Sequence, residues 1–275
     1  MRRQLAVGIL AVLCGCRNQS LHSAEAGTQG NASTPAPSAA LASAAPKVRQ
    51  TKFAAERLSL GQGDEAILEL PFDAVGRRPI LVAVHGAGDR PDWACGGWRA
   101  IAEGYPFIIC PQGSPGGGVY WWRSWKDLER IVDRSLAIVK ERYADFVADG
   151  PIVLVGFSMG ASNVAVLASK RSSDFPFVAL VEGAYDTGGA FANPFAKSGG
   201  KRVLLSCSTG NCEGRFASAR ASIARAHIDV RVSDSGRHGH NLDKPEAMRE
   251  PFAWLVRDDS RWAGLPAAKK LEAQP

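Results

Sequence analysis

The sequence predicts an α/β fold in which helices cover both faces of a mostly parallel, doubly wound sheet. Short runs that are apolar at every position recur along the chain and stop at glycine, proline or polar residues. Such runs indicate strands that are buried on both faces. Longer segments with apolar residues at helical spacing separate them. Because this alternation continues over residues 49–263 without repeats, we expect a single domain there.

The predicted strands are 66–70, 79–84, 107–110, 151–155, 177–181, 202–205 and 228–232. The predicted helices are 127–147, 161–169, 216–226 and 245–255. Residues 92–98 and 119–125 are rich in tryptophan, and we expect both to form loops that leave the carboxyl ends of strands. Residues 264–275 are expected to form a polar tail.

The composition is that of a globular protein, with 45% hydrophobic and 22% charged residues. The formal charge of +6 comes from scattered side chains rather than from a run of lysine or arginine. We therefore do not expect a nucleic-acid partner. No Cys-x-x-Cys or His-x-x-x-His spacing occurs, and we expect no bound metal.

The first residues have the pattern of an export signal. Arg2 and Arg3 precede an apolar stretch that is too short to span a bilayer as a mature helix. The stretch ends at Gly-Cys and resembles a bacterial lipobox, in which the cysteine becomes lipid-modified. We expect residues 1–15 to be a lipoprotein signal peptide and Cys16 to be the lipidated N-terminus; an ordinary secretory signal is the alternative. Residues 16–48, rich in alanine, serine and proline, are expected to form a disordered tether.

Four further cysteines fall within the predicted domain, and an even number in an exported chain favours disulfides. Cys207 and Cys212 are close in sequence, which favours a bridge between them. Cys95 and Cys110 would then form the second bridge. Four cysteines permit three pairings, and the other two remain open on these grounds.

The strongest motif is the pentapeptide Gly-Phe-Ser-Met-Gly centred on Ser158. The apolar run 151–155 leads directly into it, and a segment rich in small residues follows. This is the context of a nucleophile elbow, a tight strand-to-helix turn that exposes a serine hydroxyl above a sheet. The helix N-terminus behind the serine favours developing negative charge. We therefore predict that Ser158 is a catalytic nucleophile.

On this motif and its setting, residues 60–257 resemble the α/β-hydrolase family, and in general character its secreted esterases and polyester depolymerase-like members. Family members carry an oxyanion loop after an earlier strand, and the matching segment here is His85-Gly86-Ala87. The resemblance implies that the backbone N–H groups of Ala87 and Met159 form the oxyanion hole. His85 would shape this loop and border the pocket rather than transfer protons.

The resemblance also implies a histidine base, which follows the nucleophile and the acid in chain order. His227 leads into the last predicted strand at its wrong end, whereas His238 and His240 follow that strand. We favour His240, because Gly239-His240 resembles the common Gly-His of the family. His238 would then line the pocket.

Three carboxylates are candidates for the acid behind the histidine. We favour Glu182, which ends an apolar run where a carboxylate is costly to bury unless a cation such as an imidazolium pairs with it. A salt bridge to a neighbouring arginine is the alternative reason for its presence. In most family members the acid follows the next strand, where this chain offers Glu213. Asp186 is the third candidate.

Tryptophans mark the two loops expected beside the site. Trp93, Trp121 and Trp122 would line an aromatic pocket that suits an apolar or ring-bearing acyl or alcohol group. Core packing beneath long loops is the alternative for these rings. No large insertion follows the strand at 177–181, so we expect a small lid or none.

Together these features predict an exported serine hydrolase that cleaves small or polymeric carboxylic esters through an acyl-enzyme on Ser158 and needs no cofactor. We expect it in the bacterial cell envelope, held to the membrane by its lipid, or secreted. Two alternatives remain: a peptidase or amidase that uses the same residues, and a non-catalytic binding protein that keeps the fold.

Overall fold

The computed structural model of the protein describes residues 55–72, 74–237, 239–242 and 244–272. The predicted signal peptide, Cys16, the tether and His238 therefore lie outside the described residues. The strands are β1 (Glu56–Ser59), β2 (Glu65–Glu69), β3 (Ile80–Val84), β4 (Phe107–Pro111), β5 (Ser114–Gly116), β6 (Val119–Trp121), β7 (Val153–Phe157), β8 (Phe177–Val181), β9 (Arg202–Cys207) and β10 (Asp229–Asp234). The α-helices are α1 (Pro91–Ile101), α2 (Trp125–Arg142), α3 (Met159–Lys170), α4 (Gly188–Lys197), α5 (Cys212–Arg225), α6 (Pro245–Val256) and α7 (Pro266–Glu272). Among these residues, no helix is long and apolar enough to span a membrane.

Eight strands form one sheet in the order β1-β2-β4-β3-β7-β8-β9-β10. β2 is antiparallel to both of its neighbours, and every pairing from β4 to β10 is parallel. β5 and β6 form a separate antiparallel hairpin. The structure confirms the predicted mostly parallel sheet and adds β1 and the hairpin, which are too short to give a clear pattern in the sequence.

Helices cover both faces of the sheet, which confirms the doubly wound arrangement. In β3, Leu81 and Ala83 contribute to one hydrophobic cluster, whereas Val82 and Val84 contribute to the other. The helices α2 to α5 pack on the side of Val82, and α1, α6 and α7 pack on the side of Leu81. Every residue of β3, β4, β7 and β8 is buried, which explains why their sequences hold no charged or hydroxyl side chain. β9 is also buried throughout but includes Arg202 and Ser206.

Two helices depart from the predicted secondary structure. Residues 92–98, which we expected to form a loop, belong to α1, whose Trp98 is fully buried. Glycines at 96 and 97 disfavour a helix interior and weaken its pattern in the sequence. The helix α4 was not predicted because it contains Pro194, a residue that removes a helical hydrogen bond.

The C-terminal segment also differs from the polar tail that we expected at 264–275. Leu265, Ala267 and Ala268 are buried, and the helix α7 packs into the same cluster as α6. The polar residues of this segment favoured a tail over a helix in the prediction, although alanine is the strongest helix former.

Two disulfides cross-link the domain in the pairing that the cysteine spacing favoured. Cys95 of α1 is joined to Cys110 of β4, and Cys207 of β9 is joined to Cys212 of α5. The bridged positions are 15 and 5 residues apart, respectively. All four side chains are buried, so each bridge joins a helix to a core strand.

Replacing each bridge by a pair of alanines tests how much it constrains the chain. A cross-link removes more freedom from the unfolded chain when it closes a longer loop. We expect loss of Cys95–Cys110 to lower the free energy of unfolding by about 3 kcal/mol, and loss of Cys207–Cys212 by about 2 kcal/mol. Urea unfolding followed by circular dichroism measures both values. An equal or reversed order would contradict the loop-length explanation.

Candidate active site

Ser158 occupies a sharp turn between the end of β7 and the start of α3. Its backbone has φ 53° and ψ −121°, a conformation that is costly for a residue other than glycine. Two backbone hydrogen bonds hold the turn: the Ser158 N–H donates to Val181 O at 2.8 Å, and Ser158 O accepts from the Ala161 N–H at 3.0 Å. The residue is half-buried at the carboxyl edge of the sheet, as in a nucleophile elbow.

Three glycines make room for this turn. A Cβ on Gly156 would lie 2.7 Å from the backbone of α3, and one on Gly160 would lie 2.4 Å from His85 O. A Cβ on Gly183 would lie 2.3 Å from Ser158 O. Packed side chains do not approach backbone atoms this closely. The strained conformation of Ser158 therefore depends on the absence of side chains around it.

The backbone N–H groups of Ala87 and Met159 lie on two segments that border Ser158. Met159 follows it in the chain, and Ala87 lines the same cleft. Within the described part of the chain, neither N–H has a hydrogen-bond partner. The loop of Ala87 is braced by Asp89, whose carboxylate accepts from the Gly86 N–H at 3.3 Å. Two unpaired donors on a braced frame are suited to stabilise an oxyanion. Asp89 was not singled out from the sequence.

His85 is a buried structural residue of this loop. Its Nδ1 lies 2.7 Å from Gly86 O, and its Nε2 accepts from the Gly113 N–H at 3.1 Å, so the ring is neutral with the proton on Nδ1. Burial lowers the pKa of His85 despite the hydrogen bond to Gly86 O and the nearby Asp89. The ring shapes the loop, as we expected. Because it is fully buried, our assignment of His85 to the pocket lining was wrong.

Glu182 and His240 form a pair beside Ser158. Glu182 directly follows β8, its side chain is fully buried, and its Oε2 lies 3.3 Å from His240 Nδ1. The His240 ring packs on Phe157, with the centroids 4.8 Å apart, and lines the same cleft as Ser158. The structure gives Ser158 Oγ no hydrogen bond to His240 or to another described residue. Such bonds are often long before substrate binds.

The Glu182 carboxylate is surrounded by hydrogen-bond donors. Its Oε1 accepts from the Ser208 N–H and lies 3.0 Å from Ser208 Oγ. Its Oε2 accepts from the Tyr185 hydroxyl at 2.8 Å and from the Thr209 hydroxyl at 3.2 Å. Burial pushes the pKa of Glu182 upward, but the hydrogen bonds from the N–H and hydroxyl of Ser208, from Tyr185 and from His240 together outweigh burial, and the net pKa is lowered. The carboxylate is therefore ionised at neutral pH.

The charge of Glu182 fixes the state of its neighbours. An ionised carboxylate only accepts hydrogen bonds, so the proton between the two groups is on His240 Nδ1. Burial and the bond to Glu182 raise the pKa of the Tyr185 hydroxyl, which therefore stays protonated. Arg215 Nη1 lies 3.6 Å from Glu182 Oε2. The arginine salt bridge that we considered as an alternative thus exists beside the histidine contact.

The other two candidate acids make no described hydrogen bond to His240. Glu213 of α5 pairs at the surface with Arg220, at 2.6 Å. Asp186 is exposed, and no hydrogen bond joins it to His240. The segment after β9, where the family resemblance placed the acid, instead supplies Ser208 and Thr209. In the described ranges, no three His, Cys, Asp or Glu side chains gather as metal ligands would.

The cleft beside Ser158 has a volume of about 610 Å³. Trp93 of α1, Phe157 and Leu242 supply apolar walls, and Trp93 is 60% exposed. A second groove of about 460 Å³ also reaches Ser158, and Tyr185 and Thr187 are among its polar lining residues. The two openings beside Ser158 thus differ: one presents an apolar surface and the other a more polar surface.

The remaining two predicted pocket tryptophans do not line this cleft. Trp122 is 6% exposed, its ring packs on His85 with centroids 4.8 Å apart, and its Nε1–H donates to His85 O at 2.9 Å. Trp121 packs beside Gly88 and borders a separate cavity of about 180 Å³. Their assignment to the Ser158 pocket was wrong, because Trp122 supports the oxyanion loop from inside the core.

The lowered pKa of Glu182 predicts an acid-sensitive contribution to stability. Since its native pKa lies below the ordinary value of 4.5, this contribution is fully present above about pH 4.5 and is lost as the pH falls through the native pKa. We expect Glu182→Gln to lower Tm more at pH 7 than at about pH 3. Thermal unfolding at several pH values measures this difference. Glu213→Gln, at an exposed site, is the control; a Glu182→Gln effect that is constant with pH would contradict the prediction.

Comparison with known proteins adds a fold assignment. No protein-family model and no curated protein matches this sequence. A ferulic acid esterase is similar over 74% of this chain and 97% of its own, at 15% identity and a TM-score of 0.56. The carboxylesterase of Bacillus cereus is similar over 71% and 94% of the two chains, at 16% identity and a TM-score of 0.53. The acylaminoacyl peptidase of Pyrococcus horikoshii is similar over 77% of this chain and 42% of its own, at 12% identity and a TM-score of 0.53. At these identities the similarity establishes the architecture: the chain has the α/β-hydrolase fold.

Proposed function

We propose that the protein is a serine hydrolase that cleaves carboxylic esters. The observation that carries the proposal is the meeting of a strained Ser158 with His240 in one cleft, where His240 Nδ1 faces the buried Glu182. Backbone strain persists only where the surrounding structure enforces it, and it concentrates at functional sites. The unpaired N–H groups of Ala87 and Met159 supply the donors that acyl transfer needs.

In the proposed reaction, His240 Nε2 takes the Ser158 hydroxyl proton as Oγ attacks the ester carbonyl carbon. The charge that develops on the carbonyl oxygen is stabilised by the N–H groups of Ala87 and Met159, which contribute about 3 kcal/mol each. His240 then protonates the departing alkoxide, and the alcohol leaves. Water, deprotonated by the same histidine, hydrolyses the acyl-enzyme and restores the serine. Glu182 stabilises the imidazolium that forms in both steps.

The shape of the cleft supports an ester with an apolar or aromatic part. Trp93, Phe157 and Leu242 provide a surface on which a ring or an aliphatic chain loses contact with water. One structure with the same fold is named as an esterase of ferulic acid, itself an aromatic carboxylic acid. These two observations favour aromatic acyl esters over small acetyl esters.

An amide substrate is the second candidate, because a peptidase shares the fold. Amide cleavage requires protonation of a poorer leaving group by the same histidine. Matched ester and amide substrates with one acyl group distinguish the two activities. A purely binding role is disfavoured, because a binding protein has no need of the strained serine and the paired His240 and Glu182 together.

Activity measurements on three variants test the proposal. We expect Ser158→Ala and His240→Ala to lower kcat at least about a thousandfold, and Glu182→Gln at least about a hundredfold, on an aromatic nitrophenyl ester. A fluorophosphonate probe should label Ser158 in the native protein. Ser169→Ala and His227→Asn, which change the same residue types away from the cleft, are the controls. A folded native protein that neither turns over esters nor reacts with the probe would overturn the proposal.

We also propose that the chain is exported and anchored in the bacterial cell envelope through a lipid on Cys16. The Arg2-Arg3 start, the apolar stretch and the Gly-Cys end support this proposal. The two disulfides suit an oxidising compartment. We expect cells that express the full chain to incorporate a fatty-acid analogue into it, and Cys16→Ser to abolish incorporation. Label that persists in the Cys16→Ser protein would contradict the anchor.

A further inference from the structure

The loop after β9 has an unusual construction. Residues 208–211 are enclosed between Cys207 and Cys212, which the second disulfide joins. Ser208, the first of them, is 1% exposed although it is polar. A buried hydroxyl is costly unless it has partners. The hydrogen-bond partners of Ser208 therefore indicate the role of this loop.

Ser208 contacts both the acid and the segment that carries the base. Its N–H donates to Glu182 Oε1, and its Oγ lies 3.0 Å from the same oxygen. The same Oγ reaches Gly239 O, and it lies 3.2 Å from Asn241 O. These two carbonyls flank His240 in the chain. Because a hydroxyl has one proton to donate and all three oxygens are acceptors, the shortest contact assigns that proton to Gly239 O. Ser208 thus links the Glu182 carboxylate, through its N–H, to the turn before the histidine, through its hydroxyl.

We propose that Ser208 is a positioning residue for the Glu182–His240 pair, an inference that rests on the proposed function. Its hydroxyl donates to the turn 239–241 while its N–H donates to the carboxylate, and together these bonds place His240 Nδ1 opposite Oε2. Ser208 does not touch the substrate and acts through its two neighbours. The disulfide holds it in place by fixing the ends of its short loop.

The contacts of Glu182 explain why this role falls to Ser208. Tyr185 and Thr209 also donate to the carboxylate, but both bind Oε2, the oxygen that faces His240. Ser208 instead contacts Oε1, and among these three residues it is the one whose hydroxyl also contacts the turn 239–241. Removing the hydroxyl of Tyr185 or Thr209 would keep the contact between Ser208 and that turn. Removing the Ser208 hydroxyl would remove that contact.

Kinetic measurements test the inference first. We expect Ser208→Ala to lower kcat about two- to tenfold, the worth of one hydrogen bond between neutral groups, with KM changed less than about twofold. In a Glu182→Gln background the same substitution should add less than about twofold, because its effect passes through the carboxylate. Ser135→Ala removes another fully buried serine hydroxyl, which donates to Ile131 O within α2, and should leave kcat unchanged.

The pair Ser208→Thr and Ser208→Val separates the hydroxyl from packing. The two side chains have nearly the same shape, and threonine alone keeps the hydroxyl. We expect Thr to retain most of the activity and Val to lose it to the same extent as Ala. Equal kcat values for the two would overturn the proposal even if Ser208→Ala failed to fold.

Proton NMR supplies a readout that does not depend on turnover. The His240 Nδ1–H resonance is identified by its disappearance in His240→Ala. We expect Ser208→Ala and Ser208→Val to shift and broaden this resonance, and Ser208→Thr and Ser135→Ala to preserve it. An unaltered resonance in Ser208→Ala would refute the positioning role. A resonance that responds as expected in a protein without hydrolase activity would uphold the positioning and refute the proposed function.

Discussion

The backbone conformation of Ser158 is the constraint on which the rest of the site depends. A residue other than glycine at φ 53° and ψ −121° costs of order 1–3 kcal/mol, so its surroundings must enforce it. Tight packing against Gly160 and Gly183 and the bond to Val181 O provide that enforcement. All of these require β7 and β8 to lie side by side with helices on both faces. The apolar character of the sheet is thus a condition for the serine turn.

A second condition is electrostatic. A carboxylate buried as completely as Glu182 would be protonated in an apolar setting, and a neutral acid would stabilise an imidazolium poorly. Donors from the loop after β9 and from Tyr185 keep it charged. The free energy that burial removes from the charged form is supplied by hydrogen bonds from Ser208, Tyr185 and His240. Fixed dipoles of this kind need no reorganisation when the histidine gains a proton.

Much of this arrangement was predictable from the sequence. The fold class followed from apolar runs, because strands covered on both faces leave no polar positions. The sharp turn at Ser158 was predicted from a glycine pattern set between an apolar run and a segment rich in small residues. Glu182 and His240 were ranked first among candidates, and the structure places them in contact.

Other features could not be read from the sequence. Ser208 and Thr209 are common polar residues, and only the sheet order brings β9 beside β8 so that they meet Glu182. Trp121 and Trp122 are neighbours in the chain, but only packing decides that Trp122 enters the core beneath His85. The helix α1 was obscured by its two glycines, which weaken the local signal that tertiary contacts later override.

The bond from the Ser158 N–H to Val181 O has a mechanical consequence. Glu182 is the next residue after Val181, so Ser158 and Glu182 are held by one block of adjacent parallel strands. Thermal motion of that block carries both groups together and leaves their separation unchanged. Of the three groups, His240 lies on a different segment. The alignment of the three groups therefore varies with the position of the turn that carries His240. Substitutions that change this alignment, natural or engineered, would therefore act at the turn that carries the His240 imidazole.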